Sequence, residues 1–365
     1  MNSRYSLNLG KPFGIKVSVH WTFSLLIAWI VFITVRQGLG TTQVLMHVFF
    51  ILVLFLCVVL HEFGHSLTAI KLGGKVKSIT LLPIGGMANI TEMPENPRDE
   101  FLISAAGPMV NIVIAGLLWI YLGLFHTVDT DQMEFTTITF SNFPVILLAA
   151  NLFIVAFNLI PAFPMDGGRL FRSALAMKMN RLKATRIAKD IGQIFAVMFI
   201  FAGLFFNPFL IIIGFFVFLG AKGEYEMMRY KDILNNYTVK DILMTDYERM
   251  DENDSLEDAA EKHAHTSNRG YVITADGKYA GILTKNALIK GLSVYGKKGR
   301  IKDVMNENIE SVKPDMTLFD VYKNMQLNKY DMVPVKENEK FKGVLDIENI
   351  NEFFMIQRAM NNITS

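Results

Sequence analysis

The sequence predicts an α-helical polytopic membrane domain of six transmembrane helices followed by a small α/β module built twice. Three observations carry this. Half of the 365 residues (51%) are apolar and only 19% are charged, below the roughly 25% of soluble domains. The charge is placed late: there are fifteen Lys/Arg and ten Asp/Glu up to residue 221, against 21 and 24 beyond it. The charged half also repeats itself, Lys240-Asp241 returning as Lys302-Asp303, 62 positions on. A single soluble enzyme, a disordered chain and a fibrous one are excluded. A net charge of +2 gives no footing for nucleic acid, and the lone Cys57 excludes a disulfide scaffold or a CxxC site.

A helix crossing hydrocarbon needs about 20 mostly apolar residues. Such runs lie at Ser18–Val35, Val44–Leu67, Leu102–Phe125 and Phe143–Met165. A longer one, Ile187–Ala221, is interrupted at Asn207-Pro208, where proline removes a donor and turns the residue before it away from helix. Positive charge decides whether that stretch crosses once or twice. Arg4, Lys11 and Lys16 precede the first run, and Lys71, Lys75, Lys77 and Arg98 follow the second. A basic segment from Arg169 to Lys189 follows the fourth, and Lys222, Arg229 and Lys231 follow the last. The link 126–142 has no Lys or Arg but holds Asp129, Asp131 and Glu134. The alternation is regular only if 187–221 crosses twice, giving six spans with both termini in the cytoplasm of a plasma membrane. The first apolar run is long, lacks a small-residue cleavage site and is followed by others, so it reads as a span and not as a removable signal peptide.

The expected domains are a membrane domain at 1–221, a linker at 222–237, a duplicated module at 238–356 (copies 238–293 and 300–356) and a tail at 357–365. The duplication is ungapped: Ser255-Leu256 matches Thr317-Leu318, and Gly281-Ile282-Leu283 matches Gly343-Val344-Leu345. Each copy reads as short strand, helix, strand, hairpin, strand and helix, a small α/β layer.

The chemistry is concentrated in His61-Glu62-Phe63-Gly64-His65. Two histidines at i and i+4 share one helix face, so both imidazoles reach one metal, while the Glu beside the first can take a proton from water. Ionisable groups inside an apolar span are expensive and mark function by default. A catalytic zinc calls for a third protein ligand. His20, His47, His126, His263 and His265 are poorly placed for it. Asp166 is the only acid in the segment ending the fourth run, and both runs descend toward the same face; its alternative is an exposed Asp in a Gly turn.

These residues resemble the site-2 protease family of intramembrane zinc metalloproteases. HEFGH, Asn158-x-x-Pro161 leading to Asp166-Gly167, Ala106-Gly107-Pro108-x-x-Asn111, and Gly85-Gly86 between them follow that family's arrangement over roughly 10–221. The resemblance implies His61, His65 and Asp166 as ligands of one Zn2+ and Glu62 as general base. It implies a hairpin around Pro83 and Gly85-Gly86 at the membrane edge, to which an unwound transmembrane substrate adds as a strand. Asn158 then either bonds substrate backbone or caps a helix end, and Gly85-Gly86 is otherwise a loop turn.

The duplicated module resembles a tandem pair of CBS motifs, a Bateman module, which implies an adenine-nucleotide cleft and dimerisation. Thr284 matches the nucleotide pattern Gly-apolar-apolar-Thr/Ser-x-x-Asp, but the acid is Ala287 in one copy and Asn349 in the other. A structural or dimerising module is the alternative. The whole chain thus reads as an intramembrane zinc endopeptidase acting on transmembrane protein substrates in a lipid bilayer, with a cytosolic regulatory pair. A metal-bearing transporter or sensor gated by the repeats is the competing class; it calls for polar residues strung through the spans, and few are present.

Overall fold

A computed structural model describes residues 6–83, 85–92, 94–125, 137–265 and 270–363. Arg4, His126 and the acids Asp129, Asp131 and Glu134 lie outside the described residues. The chain divides into two compact units, Met1–Tyr225 and Glu226–Ser365.

The first unit opens with strands β1 (Ser6–Gly10) and β2 (Lys16–His20), then helices α1 (Phe23–Arg36) and α2 (Thr41–Lys71). A hairpin follows, β3 (Lys75–Leu82) and β4 (Gly85–Glu92), and then α3 (Pro97–Phe125), α4 (Phe143–Asn158), α5 (Asp166–Ala176), α6 (Arg181–Phe205) and α7 (Phe209–Leu234), the last continuing past the unit's end at Tyr225. The expected start of the first span at Ser18 is corrected. Val17 and Val19 alternate with polar neighbours at the period of a strand, and β2 pairs in parallel with β3, Val17 opposite Ile79. The fourth run also differs, its helix ending at Asn158, because Pro161 and Pro164 each lack a donor and disfavour helix in the residue before them.

Helices α2, α3 and α6 are long and apolar enough to cross a membrane, and α1 and α4 are shorter apolar helices. At Asn207-Pro208 the chain reverses. The Phe209 N–H donates to Asn207 Oδ1 at 3.0 Å, and α6 and α7 approach where Gly203 faces Ile211 and Gly214 faces Ala196 and Ile200. Trp119, Phe205 and Phe206 stand at least 70% exposed, a surface that lipid covers at no cost and water does not.

The four strands form one sheet in the order β1-β2-β3-β4. Phe63, inside the HEFGH pentapeptide, packs with Ile15, Val17 and Ile79, so an apolar residue of the motif itself seats the sheet on α2.

The second unit holds β5 (Arg249–Asp251), α8 (Leu256–Ala264), β6 (Gly270–Ala275), β7 (Lys278–Thr284) and α9 (Lys285–Tyr295), and then α10 (Leu318–Asn328), β8 (Met332–Glu337), β9 (Lys340–Asp346) and α11 (Ile347–Ile363). Residues 222–234 of the expected linker are helical, and so are 357–363 of the expected tail. The two copies exchange main-chain bridges reciprocally: Met244 pairs with Val344 and its counterpart Asn306 with Ile282, while Thr238 pairs with Thr317 and its counterpart Arg300 with Ser255. Each of these pairs maps onto the other under the 62-residue offset, so the duplication in sequence is a pseudo-twofold axis in space. Gly343 is required there, since an added Cβ would stand 2.2 Å from the Met244 carbonyl oxygen.

Ser255 and Thr317 cap α8 and α10, accepting from the N–H of Asp258 at 3.1 Å and Asp320 at 3.4 Å. Ser255→Ala or Thr317→Ala is expected to cost about 1 kcal/mol. Hydrogen exchange in the first turn of the affected helix then accelerates about fivefold, with the other copy's helix unchanged.

Candidate metal centre

One helical turn of α2 stacks His61 and His65, their ring centroids 4.7 Å apart. The two Nε2 atoms are 3.1 Å apart, and Asp166 Oδ2 is 3.1 Å from each. Zinc bonds of about 2.0–2.1 Å in tetrahedral array put ligand atoms about 3.3 Å from one another. The triangle therefore fits one ion with a fourth position open. Among the described residues, this is the cluster of ligand side chains that could hold a metal.

The remaining ring nitrogens are committed. His65 Nδ1–H donates to the Ile103 carbonyl at 2.7 Å, and a carbonyl can only accept, so the proton sits on Nδ1 and Nε2 offers its lone pair. His61 Nδ1 lies 2.6 Å from Asn111 Oδ1. Both imidazoles are thus oriented from α3. Close approach of α3 depends on glycine: a Cβ on Gly107 would stand 2.2 Å from His65 Nε2 and 2.7 Å from His61 Nε2, and one on Gly64 would stand 2.6 Å from the Ala106 carbonyl oxygen. Glu62 faces the sheet, and a Cβ on Gly86 would stand 2.5 Å from its Cγ. The Ala88 main chain hydrogen-bonds its carboxylate. Gly86 comes within reach of Glu62 only through this hairpin, in which Leu82 pairs with Gly85 and Gly85 holds φ +135°; among the described residues, Gly85 itself has no neighbour within 4 Å of an added Cβ.

Asp166 is the first residue of α5, delivered by the irregular segment 159–165. Ala162 and Phe163 are fully buried. They are gripped by α6 and α7, Gly192 and Ala221 lying against Ala162 and Phe163 and Gly220 against Pro164. Six residues after Asp166, Arg172 binds Glu100 of α3 and Glu224 of α7, and Glu100 also binds Arg181 of α6. Both Glu100 and Arg172 are buried. This ion cluster escapes a sequence reading, although charged residues at the edges of apolar runs are the signal that points to it. Asn158 ends α4 and its amide donates back to the Ile154 carbonyl at 3.0 Å.

In the second unit a cleft of about 450 Å³ is lined by Met244, Tyr247, Gly270, Met332, Asn349 and five carboxylates, Asp246, Glu248, Asp346, Glu348 and Glu352. Thr284 is not among its lining residues; its hydroxyl caps α9 by accepting from the Ala287 N–H at 3.2 Å. Asp346, its counterpart, does the same for the Asn349 N–H at 2.6 Å.

Residues 49–143 and 122–202 match the sequence profile of peptidase family M50, and 239–294 and 301–355 each match that of the CBS domain. The zinc metalloprotease MJ0392 of Methanocaldococcus jannaschii is 33% identical over 349 residues, 95% of this chain and 95% of that protein. The chain belongs to peptidase family M50. It is a zinc-dependent metalloprotease of the site-2 type with two C-terminal CBS domains. Stage IV sporulation protein FB of Bacillus subtilis is 29% identical over 188 residues, half of this chain and 61% of that protein. Among solved structures, the site-2 protease from Methanocaldococcus jannaschii is 36% identical, covering 60% of this chain and 95% of that chain with a TM-score of 0.45.

Gly107→Ala is expected to drive the imidazoles out of their triangle and to lower zinc content of the purified protein at least tenfold. Gly86→Ala displaces Glu62 alone, so it leaves zinc in place and lowers turnover; both are read by metal analysis beside a cleavage assay.

Proposed function

We propose that His61, His65 and Asp166 hold the zinc ion, that Glu62 is the general base, and that the bond cleaved lies within or near the transmembrane helix of a membrane-protein substrate. The observation that carries this is the set of three donor atoms at mutual distances of 3.1 Å, with the Glu62 carboxylate beside them and outside the set. Zinc bound there supplies a Lewis acid that polarises the scissile carbonyl and acidifies water.

Glu62 takes the proton of the attacking water and returns it to the leaving nitrogen, which needs one carboxylate that is close to the site yet not bound in it. The contacts with Gly86 and the Ala88 main chain hold it in that position. A helical substrate shields its own peptide bonds, and unwinding in lipid strands backbone groups at several kcal/mol each. β4 is the terminal strand of the sheet, and its edge offers replacement partners to an extended segment laid beside Glu62. Gly85 and Gly86 keep that edge free of side chains; Asn158, at the end of α4, lies on the way to Asp166 and bonds substrate backbone once its own helical contact is released.

The spans are α1 to α4, α6 and α7, six crossings with both termini and the CBS pair in the cytoplasm of the plasma membrane. The CBS pair serves as regulator or as dimerisation module. Five carboxylates repel polyphosphates, so an adenine nucleotide is a poor occupant of the cleft that they line, and Thr284 has its cap to keep.

Glu62→Gln is expected to retain zinc while lowering cleavage of a co-expressed membrane substrate by about 10²–10⁴-fold; wild-type turnover would remove Glu62 from its role. Asp166→Ala is expected to lower zinc content, and unchanged occupancy would place the third ligand elsewhere. Calorimetric titration of the full chain with ATP, ADP and AMP is expected to give no micromolar binding.

A further inference from the structure

The mechanism uses His61 but not the polar chain buried behind it. Asn111 on α3 and Asn151 on α4 are both fully buried. Asn151 Nδ2 donates to the Leu147 carbonyl, one turn back on its own helix, at 2.8 Å. Asn111 Nδ2 donates to Asn151 Oδ1 at 2.8 Å, and Asn111 Oδ1 lies 2.6 Å from His61 Nδ1. The second hydrogen of the Asn151 amide points to Cys57 Sγ at 3.7 Å.

An isolated Asn can be turned either way, since its two ends are alike in shape. This chain cannot. It begins on a backbone carbonyl, which only accepts. That fixes the Asn151 amide with nitrogen toward Leu147 and oxygen toward Asn111. The oxygen in turn fixes Asn111 with nitrogen toward Asn151 and oxygen toward His61. An oxygen facing Nδ1 requires the proton there, and so leaves the Nε2 lone pair directed at Asp166 and His65. Reversing Asn111 would set its oxygen against that of Asn151, among fully buried residues, and would turn its amide hydrogens on Nδ1, which could accept them only by moving the imidazole proton to Nε2, the atom that faces Asp166 and His65.

We propose that Asn151 is a positioning residue of the metal centre: by fixing the orientation of the Asn111 amide, it sets the tautomer in which His61 meets the metal. This rests on His61, His65 and Asp166 being the zinc ligands. Cys57 has a part in the same chain as a weak acceptor for the spare amide hydrogen, which gives the buried thiol a structural use.

The test is zinc affinity of the purified full-length protein in detergent, measured by competition with a chelator of known affinity. Asn151→Leu is expected to weaken zinc binding by about 10–100-fold, the usual effect of losing a partner behind a ligand. Asn111→Asp in the Asn151→Leu background should restore it to within a few-fold of the unaltered protein. A carboxylate accepts through either oxygen, so it has no orientation to lose and needs no Asn151 to set it. A role in packing alone would not be rescued this way. If Asn151→Leu does not accumulate, Asn151→Ser is read in the same manner, since its hydroxyl bonds the Leu147 carbonyl and stops short of Asn111. Unaltered affinity in the single variant, or a loss that Asn111→Asp does not repair, overturns the proposal. Asp166→Ala measured alongside separates the two levels. If it keeps full zinc occupancy, the ligand assignment falls and the relay with it; if it loses zinc while Asn151→Leu does not, only the relay falls.

Discussion

The membrane unit is organised around the delivery of one carboxylate. His61 and His65 come together by helical period alone, but Asp166 lies 101 residues beyond the second of them, and it must arrive from a segment that is not helical. Irregular backbone at membrane depth is tolerated only where protein, not lipid, surrounds it. Segment 159–165 satisfies part of its own need, the Ala162 N–H donating to the Ile160 carbonyl and the Met165 N–H to that of Ala162. The rest of the requirement is cover, and α6 and α7 supply it. Gly192, Ala188, Gly220 and Ala221 are the residues that let two helices lie directly on Ala162, Phe163 and Pro164. The small-residue stripes of the last two helices follow from where Asp166 has to be.

The Glu100–Arg172–Arg181–Glu224 cluster belongs to the same requirement. Buried ion pairs roughly break even as stabilisers, because desolvation offsets their attraction, but losing one partner leaves an uncompensated buried charge at about 3–5 kcal/mol. Arg172 bonds Glu100 through both Nε and Nη2 and Glu224 through Nη1, and its guanidinium also lies 4.9 Å from the Phe163 ring centroid. A rotation of α5 by one residue would break all of these contacts together. The helix that begins with Asp166 is thereby fixed about its own axis by charges on α3 and α7.

How much of this was legible in the sequence follows from the range of each interaction. The pairing of His61 with His65 is a matter of a 3.6-residue period, and Asp166 stood out as a lone acid at the end of an apolar run. The internal duplication was readable because both copies kept their caps and their Gly-apolar-Leu strands. Three things were not. The end of β2, from Ser18 to His20, falls inside the first apolar run, although the alternation of Val17 and Val19 carries the strand signal. Gly167-Gly168 fits a turn equally well, the alternative reading of Asp166, whereas both lie in the first turn of α5 and are glycine because the main chain of 159–163 passes where a Cβ would be. The partners of the imidazoles, Asn111 and the Ile103 carbonyl, depend on how two distant helices meet, and no local pattern encodes a carbonyl.

The CBS pair shows the same limit from the other direction, since there the offset lets structure be read back into sequence. The cleft carboxylates Asp246, Glu248, Asp346, Glu348 and Glu352 correspond, 62 positions away, to Asn308, Glu310, Thr284, Asn286 and Lys290. The two copies have thus kept their backbone reciprocity and parted in charge, with five acids on one set of positions and a single acid with a lysine on the other. Packing constrains the glycines and caps in both copies, because each faces the main chain of the other copy: Gly343 meets Met244 and Gly281 meets Asn306, while Ser255 pairs with Arg300 and Thr317 with Thr238. Solvated cleft positions carry no such constraint, and it is there that the duplicated halves have become chemically distinct.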